Sequence, residues 1–327
     1  MTPTPRLAFL AALLALLALA AAALAVGSVA LAPGDVWAAL GGRGDATTIA
    51  IVRSLRLPRV ALAALVGAAL GMSGAALQGA LRNPLAEPYL LGVSGGAAVG
   101  AVVALAAGVQ AAAGISLGAF AGGAAAVALV LGIARGVSVR ADARVLLMAG
   151  VVIGAFANAA IMVALATAPA DTARGALWWM MGSVSGATWS TVGAMALWLA
   201  LGGGALLAWA RDADILALGE EPAAGLGIDV DRAGRRIYLA SSLLAAATVA
   251  AAGLVGFVGL VVPHLVRRSG ARGHRALFAG AAVAGAALVI AADLIARTVR
   301  APAELPLGAV TALVGVPFFL LRLRRSA

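Results

Sequence analysis

The sequence predicts an all-α polytopic membrane protein with about ten transmembrane helices in a single domain, residues 1–327. Of the 327 residues, 63% are apolar and only 11% are charged, whereas soluble domains contain about 25% charged residues. Apolar runs that could cross a bilayer, about 18 residues or more, recur along the whole chain. Alanine and glycine dominate these runs, and small residues allow close helix packing in lipid.

Ten apolar runs can be assigned in order along the chain. The first follows Arg6 as a secretory signal would, but it extends over residues 7–30, longer than the usual signal core of ~7–15 residues. We therefore interpret it as a span. The eighth run is short and carries Gly253, Gly256, Gly259 and Pro263 in or beside it, which predicts a kinked or broken helix, a candidate for a moving or path-lining element. The runs are 7–30, 60–81, 90–109, 113–134, 145–168, 190–210, 237–255, 256–266, 276–296 and 306–321.

Two residue types are absent, and their absence excludes several functions. The chain contains no cysteine, so it forms no disulfide, thiolate metal site or cysteine nucleophile. It also contains no lysine, since all 23 basic residues are arginine. The phosphate-binding loop of ATPases requires a lysine. This chain therefore does not hydrolyse ATP by that route.

The distribution of arginine predicts the orientation in the membrane. If both termini are cytoplasmic, sixteen arginines lie inside and seven outside, in agreement with the positive-inside rule. The polar stretch from Arg211 to Arg236 then lies in the cytoplasm. The seven outer arginines are an exception that needs a reason; they are Arg43, Arg53, Arg56, Arg59, Arg174, Arg297 and Arg300.

Glycines recur four residues apart in three runs, which predicts faces where helix backbones meet. Some of them could instead line the path of a bulky solute, an alternative that we consider weaker. The rows are Gly67 and Gly71; Gly92, Gly96 and Gly100; and Gly114, Gly118 and Gly122.

Polar side chains within the spans are few. Asp293 lies four residues before Arg297, which favours an i to i+4 ion pair near the outer surface. Asn158 could face a pathway, although a hydrogen bond to a neighbouring helix is the simpler interpretation. A single His264 beside two arginines indicates an interfacial hydrogen-bonding residue rather than a metal ligand. Ion-coupled transporters need intramembrane ionisable groups, so this scarcity argues against one.

Four segments together resemble the permease subunits of ATP-binding-cassette importers for vitamin B12, haem and iron-siderophore complexes. They occur in the order of that family and span nearly the whole chain. The segments are RLPR at 56–59 followed by VGAALGMSGAALQGALRNPLAEPYLLGVSGG at 66–96, LALGEEPAAGLGI at 216–228, GFVGLVVPHLVR at 256–267 and ELPLGAVTALVGVPFFL at 304–320.

The resemblance implies the type II architecture of such importer permeases and a multi-pass protein of the bacterial inner membrane. It implies a homodimer with a path along the two-fold interface, two ATPase subunits on the cytoplasmic side and a periplasmic substrate-binding protein on the other. ATP and Mg²⁺ would be bound by the ATPase, and no cofactor by this chain. The alternative function is an ion-coupled transporter or a channel that acts without an ATPase.

The same resemblance assigns the ATPase-coupling element to the cytoplasmic loop at about 212–236. Its centre is expected to form two short helices, with apolar contacts from leucines and acidic groups that meet basic residues of the partner. The alternative is an ordinary solvated loop. The assigned residues are Leu216, Leu218, Gly219, Glu220, Glu221, Gly225, Leu226 and Gly227.

Three outer arginines match the family's positions for docking the binding protein, namely Arg56, Arg59 and Arg297. Paired carboxylates on that partner would orient it by charge-assisted hydrogen bonds. Head-group anchoring is the alternative. Asn83 and Leu85 match a segment that narrows the cytoplasmic exit, although Asn-Pro could simply end a helix.

The cargo is left open among iron-siderophore, haem and cobalamin, with iron chelates expected because they are the commonest in such a family. Trp178, Trp179, Met180 and Met181 could touch the cargo, but an interfacial aromatic belt is the better interpretation.

Overall fold

A computed structural model describes residues 5–27, 29–137 and 143–326, and this part of the chain is helical and contains no β-strand. Short π-helical segments occupy Ile51–Arg56 and Leu199–Gly203, and a 3₁₀ turn occupies Pro88–Leu91. The α-helices are α1 Pro5–Ala25, α2 Pro33–Leu40, α3 Ala46–Ala50, α4 Leu57–Ala80, α5 Val93–Ala106, α6 Ala112–Val137, α7 Ala143–Thr167, α8 Ala170–Met180, α9 Trp189–Trp198, α10 Gly204–Ala208, α11 Ala210–Leu216, α12 Glu220–Gly225, α13 Val230–Ala252, α14 Val258–Arg268, α15 Gly273–Thr298 and α16 Leu307–Ser326.

Each of the ten predicted apolar runs coincides with a helix or with a continuous helical segment. In the described ranges, six helices are long and apolar enough to cross a membrane, and two shorter apolar helices lie at Val93–Ala106 and Leu307–Pro317. The run predicted at 190–210 corresponds to α9, the second π-helical segment and α10 together. The chain is therefore a multi-pass membrane protein, as the composition predicts.

The second span is longer than its sequence pattern suggested. The helix begins at Ala46 and continues to Ala80, a total of 35 residues, whereas the apolar run begins only at residue 60. Pro58 lies inside this helix and cannot donate a backbone hydrogen bond. The π-helical segment directly before it accommodates the defect, since the Leu57 N–H bonds to the Val52 carbonyl, five residues back.

Helix α4 lies at the centre of the bundle and packs against α15 through glycine. A methyl group at Gly67 would overlap the carbonyl of Gly285, and one at Gly71 would overlap the carbonyl of Ala281. The two backbones are therefore in direct contact, which lipid-embedded helices need for tight van der Waals packing. This confirms the first predicted glycine row.

The other two rows form a second contact, between α5 and α6. Gly96 faces Gly122, and Gly100 faces Gly118, with no room for a side chain on either helix. Gly92 departs from the prediction, because it has φ +78° and precedes α5 instead of lying on its packed face. Gly114 also lies outside this contact, where the nearest side chain is that of Val109.

The predicted broken helix is confirmed, but the break is not at proline. Helix α13 ends at Ala252, residues 253–257 are not helical, and α14 begins at Val258. Pro263 lies inside α14, which continues past it to Arg268. The break is made by Gly253 with φ +68° and by Phe257 with φ +67°, left-handed conformations that end regular helices.

Substitution of Gly67 by alanine should lower the free energy of unfolding by about 1–3 kcal/mol, because the added methyl group forces α4 and α15 apart. Gly132→Ala is the matched control, since Gly132 lies in helix α6 with no atom near its added methyl group. Denaturant unfolding of both variants in detergent micelles measures the difference. Equal stability of the two variants would show that the α4–α15 contact is not close.

Candidate functional site

The segment Ala210–Gly225 forms the predicted pair of short helices, α11 and α12. They are joined by a turn in which Gly219 has φ +117°, and Gly227 with φ +82° follows α12. Residues that carry a side chain rarely adopt backbone φ angles in this range, so glycine is needed at both positions. The glycines therefore fix a compact two-helix element rather than a loose loop.

Two leucines of this element are exposed to solvent. Leu218 is 63% exposed and Leu226 is 61% exposed, although both belong to an otherwise polar part of the chain. Leu216 differs from the prediction, because it is 6% exposed and packs in the main hydrophobic core. The apolar surface available to a partner thus consists of Leu218 and Leu226, whereas Leu216 anchors the element to its own subunit.

Polar contacts attach helix α11 to two spans. Asp212 forms an ion pair with Arg236 of α13, and the Arg236 guanidinium lies 5.1 Å from the centre of the Trp209 ring. Asp214 accepts hydrogen bonds from the backbone N–H and ring Nδ1 of His274, both at 2.7 Å, at the start of α15. The element is thereby held against α13 and α15.

A third contact attaches α12 to the segment that follows α4. Arg82 Nη2 donates to Glu220 Oε1 at 2.5 Å, so Glu220 is paired within its own subunit, although its side chain stays 50% exposed. Glu221 is exposed beside it. Arg82 has φ +49°, a conformation uncommon for a residue with a side chain.

The two residues assigned to the cytoplasmic gate lie in this same segment. The Asn83 side-chain oxygen accepts the N–H of Leu85 at 2.9 Å, and the Asn83 carbonyl accepts the N–H of Ala86 at 3.0 Å. These bonds form the turn that ends α4. Leu85 is exposed, whereas Ala86 is buried. The geometry accounts for Asn83 as a turn residue, and the gate role stays a prediction.

Side chains just after this turn hold the break between α13 and α14. The N–H of Phe257 donates to Glu87 Oε1 at 2.6 Å, and the N–H of Val255 donates to the Tyr89 hydroxyl at 3.3 Å. Helix α14 covers eleven residues down to Arg268, which places the break about 16 Å from its arginine-bearing end. Broken helices at such depth need internal partners for their backbone.

At the opposite end of the bundle, Arg59 is the centre of an ion-pair cluster. Its guanidinium donates to both carboxylate oxygens of Asp293, with the shortest distance 2.8 Å, and to Glu304 at 2.6 Å. Asp293 is buried, whereas Glu304 has a side chain that is 38% exposed. The predicted pair of Asp293 with Arg297 exists at 3.6 Å, but Arg59 is the closer partner.

The other two predicted docking arginines are buried and cap helix α1. Arg56 Nη1 donates to the carbonyls of Leu24 and Ala25 at 2.7 and 2.8 Å, and Arg297 Nη2 donates to the carbonyl of Ala23 at 2.6 Å. The last carbonyls of a helix have no partner inside it, so these guanidinium groups satisfy them. They join α1 to α4 and α15.

All three arginines line one cavity of about 390 Å³. Its other lining residues are Gly27, Val29, Ile51, Leu55, Ser185 and Glu304. The structure therefore brings the three predicted residues together, as expected for a single docking site. Of the three, Arg59 is the one whose guanidinium is paired with a partly exposed carboxylate, that of Glu304.

Four contributors to these sites were not identified from the sequence. Arg82 and Glu304 looked like ordinary loop charges, and Asp214 like one acid among several in a polar stretch. Glu87 lies between the predicted spans 60–81 and 90–109, so hydropathy does not mark it as an intramembrane acid. An acid immediately before Pro-Tyr-Leu-Leu in an apolar segment is the signal that would have found it, since membrane-embedded acids have specific partners.

Within the described ranges, no three His, Asp or Glu side chains lie together in a way that could hold a metal ion. The two sites are therefore built from ion pairs, backbone hydrogen bonds and exposed leucines.

Comparison with known proteins gives a consistent result. Residues 13–325 match the FecCD transport family. The chain is 42% identical over 278 residues to the cobalamin import system permease protein BtuC of Halobacterium salinarum, covering 85% of this chain and 74% of that protein. It is 40% identical over 275 residues to the hemin transport system permease protein HmuU of Yersinia pestis, covering 82% and 81%.

The fold also matches a solved structure, described as an inward-facing conformation of a metal-chelate type ABC transporter. The TM-score is 0.87 at 27% sequence identity, covering 97% of this chain and 98% of the other. The architecture is thus that of an ABC transporter permease, and the resemblance carried by the four sequence segments is confirmed. The chain belongs to the FecCD transport family.

Proposed function

We propose that this chain is the permease subunit of an ATP-driven importer that moves an iron chelate (a siderophore complex or haem) or cobalamin from periplasm to cytoplasm. The observation that carries the proposal is the two-helix element at Ala210–Gly225. It presents Leu218 and Leu226 to solvent while polar contacts fix it to the bundle. Apolar side chains that stay exposed on a rigid support outside the lipid mark a contact surface for another protein.

The partner at this element is proposed to be an ATP-binding-cassette ATPase, two copies of which bind ATP and Mg²⁺. The absence of lysine supports this assignment, because the energy source must be another chain. The sole acid predicted inside a span, Asp293, is engaged by Arg59. That pairing supports a structural role for Asp293 rather than service in an ion relay.

A homodimer with its path along the two-fold axis is supported by the exposed face of α7. Asn158 does not point at a neighbouring helix of its own subunit, as the simpler interpretation expected, but lies on an exposed face. Large apolar side chains of the same helix are exposed with it: Met148, Val151, Val152, Phe156, Met162 and Val163. A side-chain amide that faces lipid is unfavourable, so this face of α7 is proposed to lie against a second subunit or an aqueous path.

The orientation is proposed from the arginine distribution, with both termini in the cytoplasm of a bacterium and the chain in its inner membrane. The cavity around Arg59 then faces the periplasm, where a substrate-binding protein would dock. Asn83 and Leu85 are proposed to narrow the cytoplasmic exit. Leu85 supports this role through its exposure at the inner end of α4.

The proposed cargo class is supported by two relatives, one a cobalamin import permease and the other a hemin transport permease. Both compounds are large metal chelates. A cargo of this size needs a wide path, and the exposed face of α7 could supply part of its wall. The iron-siderophore alternative belongs to the same chemical class.

The proposal predicts that uptake of radiolabelled cobalamin, haem or ferric siderophore into proteoliposomes requires ATP, an ATPase subunit and a binding protein. The permease alone should give no uptake under a proton or sodium gradient, because Asp293 and Glu87, the acids described at membrane depth, are engaged by Arg59 and by the Phe257 N–H. Gradient-driven uptake by the permease alone would instead establish the ion-coupled alternative.

Replacement of Leu218 and Leu226 by alanine should weaken binding of the ATPase subunit by about 10- to 100-fold, the range for loss of interface anchors. Surface plasmon resonance on the detergent-purified permease measures its affinity for the ATPase subunit. Leu55→Ala is the matched control, since Leu55 is 64% exposed at the opposite end of the bundle. Unchanged ATPase affinity in the double variant would exclude these leucines as the anchor.

Glu304→Gln should strengthen docking of the substrate-binding protein severalfold. Glu304 pairs with Arg59 and therefore competes with the carboxylate of a docking partner. Asp171→Asn serves as control, because Asp171 is an exposed acid on α8 away from this cluster. The same affinity for wild type and Glu304→Gln would mean that Arg59 does not receive the partner.

A further inference from the structure

We propose that the segment between α4 and α5, residues 82–89, is a rigid link that transmits movement of the ATPase-coupling element to the break between α13 and α14. We call this segment the connector. The inference rests on the proposed function, because the ATPase supplies the movement. It assigns positioning roles to Arg82 and Glu87.

The first end of the connector is attached to the coupling element. Arg82 Nη2 lies 2.5 Å from Glu220 Oε1, in the first turn of α12. The turn glycine Gly219 lies next to the same guanidinium. Both partners are about half exposed, with side-chain exposures of 40% and 50%, so this pair adds little to stability. Its consequence is positional, since α12 cannot shift without moving Arg82 or breaking the pair.

The second end of the connector is attached to the break. Glu87 accepts the N–H of Phe257 at 2.6 Å, and the Tyr89 hydroxyl accepts the N–H of Val255 at 3.3 Å. Phe257 is the residue that precedes the first turn of α14. The start of α14 is therefore defined by side chains of the connector rather than by α13.

Between its ends the connector is compact. Asn83 makes two turn bonds, through its side-chain oxygen to the N–H of Leu85 and through its carbonyl to the N–H of Ala86, and its own N–H bonds to the Gln78 carbonyl at 3.2 Å. Ala86 is buried. A short, internally bonded segment with a buried centre moves as one piece, so displacement at Arg82 reaches Glu87.

Backbone strain occurs at both attachment points of the connector, at Arg82 on one side and at Phe257, the residue bonded to Glu87, on the other. Among the described residues, Arg82 with φ +49° and Phe257 with φ +67° are the non-glycine residues in the left-handed region. Such conformations persist only where surrounding contacts impose them, and they concentrate at switch regions. Here one lies at the ion pair to the coupling element, and the other lies at the hydrogen bond that holds the break.

Gln78 provides a second contact between α4 and α14. Its amide nitrogen donates to the Gly259 carbonyl at 3.1 Å, and its oxygen accepts from Arg267 Nη1 at 2.6 Å. Gln78 of α4 thus holds α14 near both of its ends, and Glu87 of the connector holds the residue that precedes it. Release of the Phe257 N–H by Glu87 would free residues 253–257, which precede α14, while Gln78 continues to hold α14 itself.

Hydrogen–deuterium exchange of the full-length permease in lipid nanodiscs tests the link. The readout is exchange of the backbone amides at 254–258, with and without ATP-loaded ATPase subunit at saturation for each variant. In the wild type, ATPase binding should raise this exchange severalfold. Arg82→Gln and Glu220→Gln should bind the ATPase yet lose that response, whereas the exchanged pair Arg82→Glu with Glu220→Arg should restore it. Arg135→Gln is the control and should respond as the wild type does, because Arg135 is an exposed arginine in the last turn of α6 that belongs to neither the coupling element nor the connector.

The outcomes separate the link from the function on which it rests. Failure of the wild type to bind the ATPase subunit would overturn the proposed function and the link together. Normal binding with a full exchange response in Arg82→Gln and Glu220→Gln would overturn the link alone. If the double variant Arg82→Glu with Glu220→Arg does not restore the exchange response, the effect of the single variants was not due to the ion pair.

Discussion

The inner half of the bundle depends on one constraint, which is that backbone N–H groups deep in a membrane protein must find acceptors. Residues 253–257 leave the helical pattern, and lipid offers them no hydrogen bonds. Glu87 and Tyr89 accept hydrogen bonds from two of the N–H groups that have no partner inside a helix. Because these acceptors come from the segment after α4, the position of that segment determines where α14 begins.

Close backbone packing makes this arrangement stiff. A methyl group at Gly74 of α4 would overlap the carbonyl of Gly259 in the first turn of α14. Together with the contacts of Gly67 and Gly71 against α15, it places two helices, α14 and α15, against one glycine-lined surface of α4. Packed interiors switch between discrete arrangements rather than deforming continuously. A movement of the coupling element is thus expected to release residues 253–257 in one discrete step, while α14 stays packed against α4.

The sequence predicted most of the fold and part of the site. Apolar runs located the long apolar helices because lipid imposes length and hydropathy on each of them. The break was predicted from Gly253 and its neighbours, but Pro263 drew attention to the wrong turn. Leu216 could not be distinguished from Leu218 and Leu226, because exposure depends on tertiary packing. The partners of Arg59 are 234 and 245 positions distant along the chain, beyond the reach of local pattern.

The unfolding free energies of Glu87→Gln and Glu87→Leu, measured by denaturant titration in mixed micelles, test the central claim most directly. Glutamine keeps a side-chain oxygen that can accept the Phe257 N–H, whereas leucine does not. The account predicts that the leucine variant loses about 1–3 kcal/mol more than the glutamine variant, the cost of an unsatisfied buried donor. Equal losses in the two variants would contradict it, because the break would then not depend on the acceptor at residue 87.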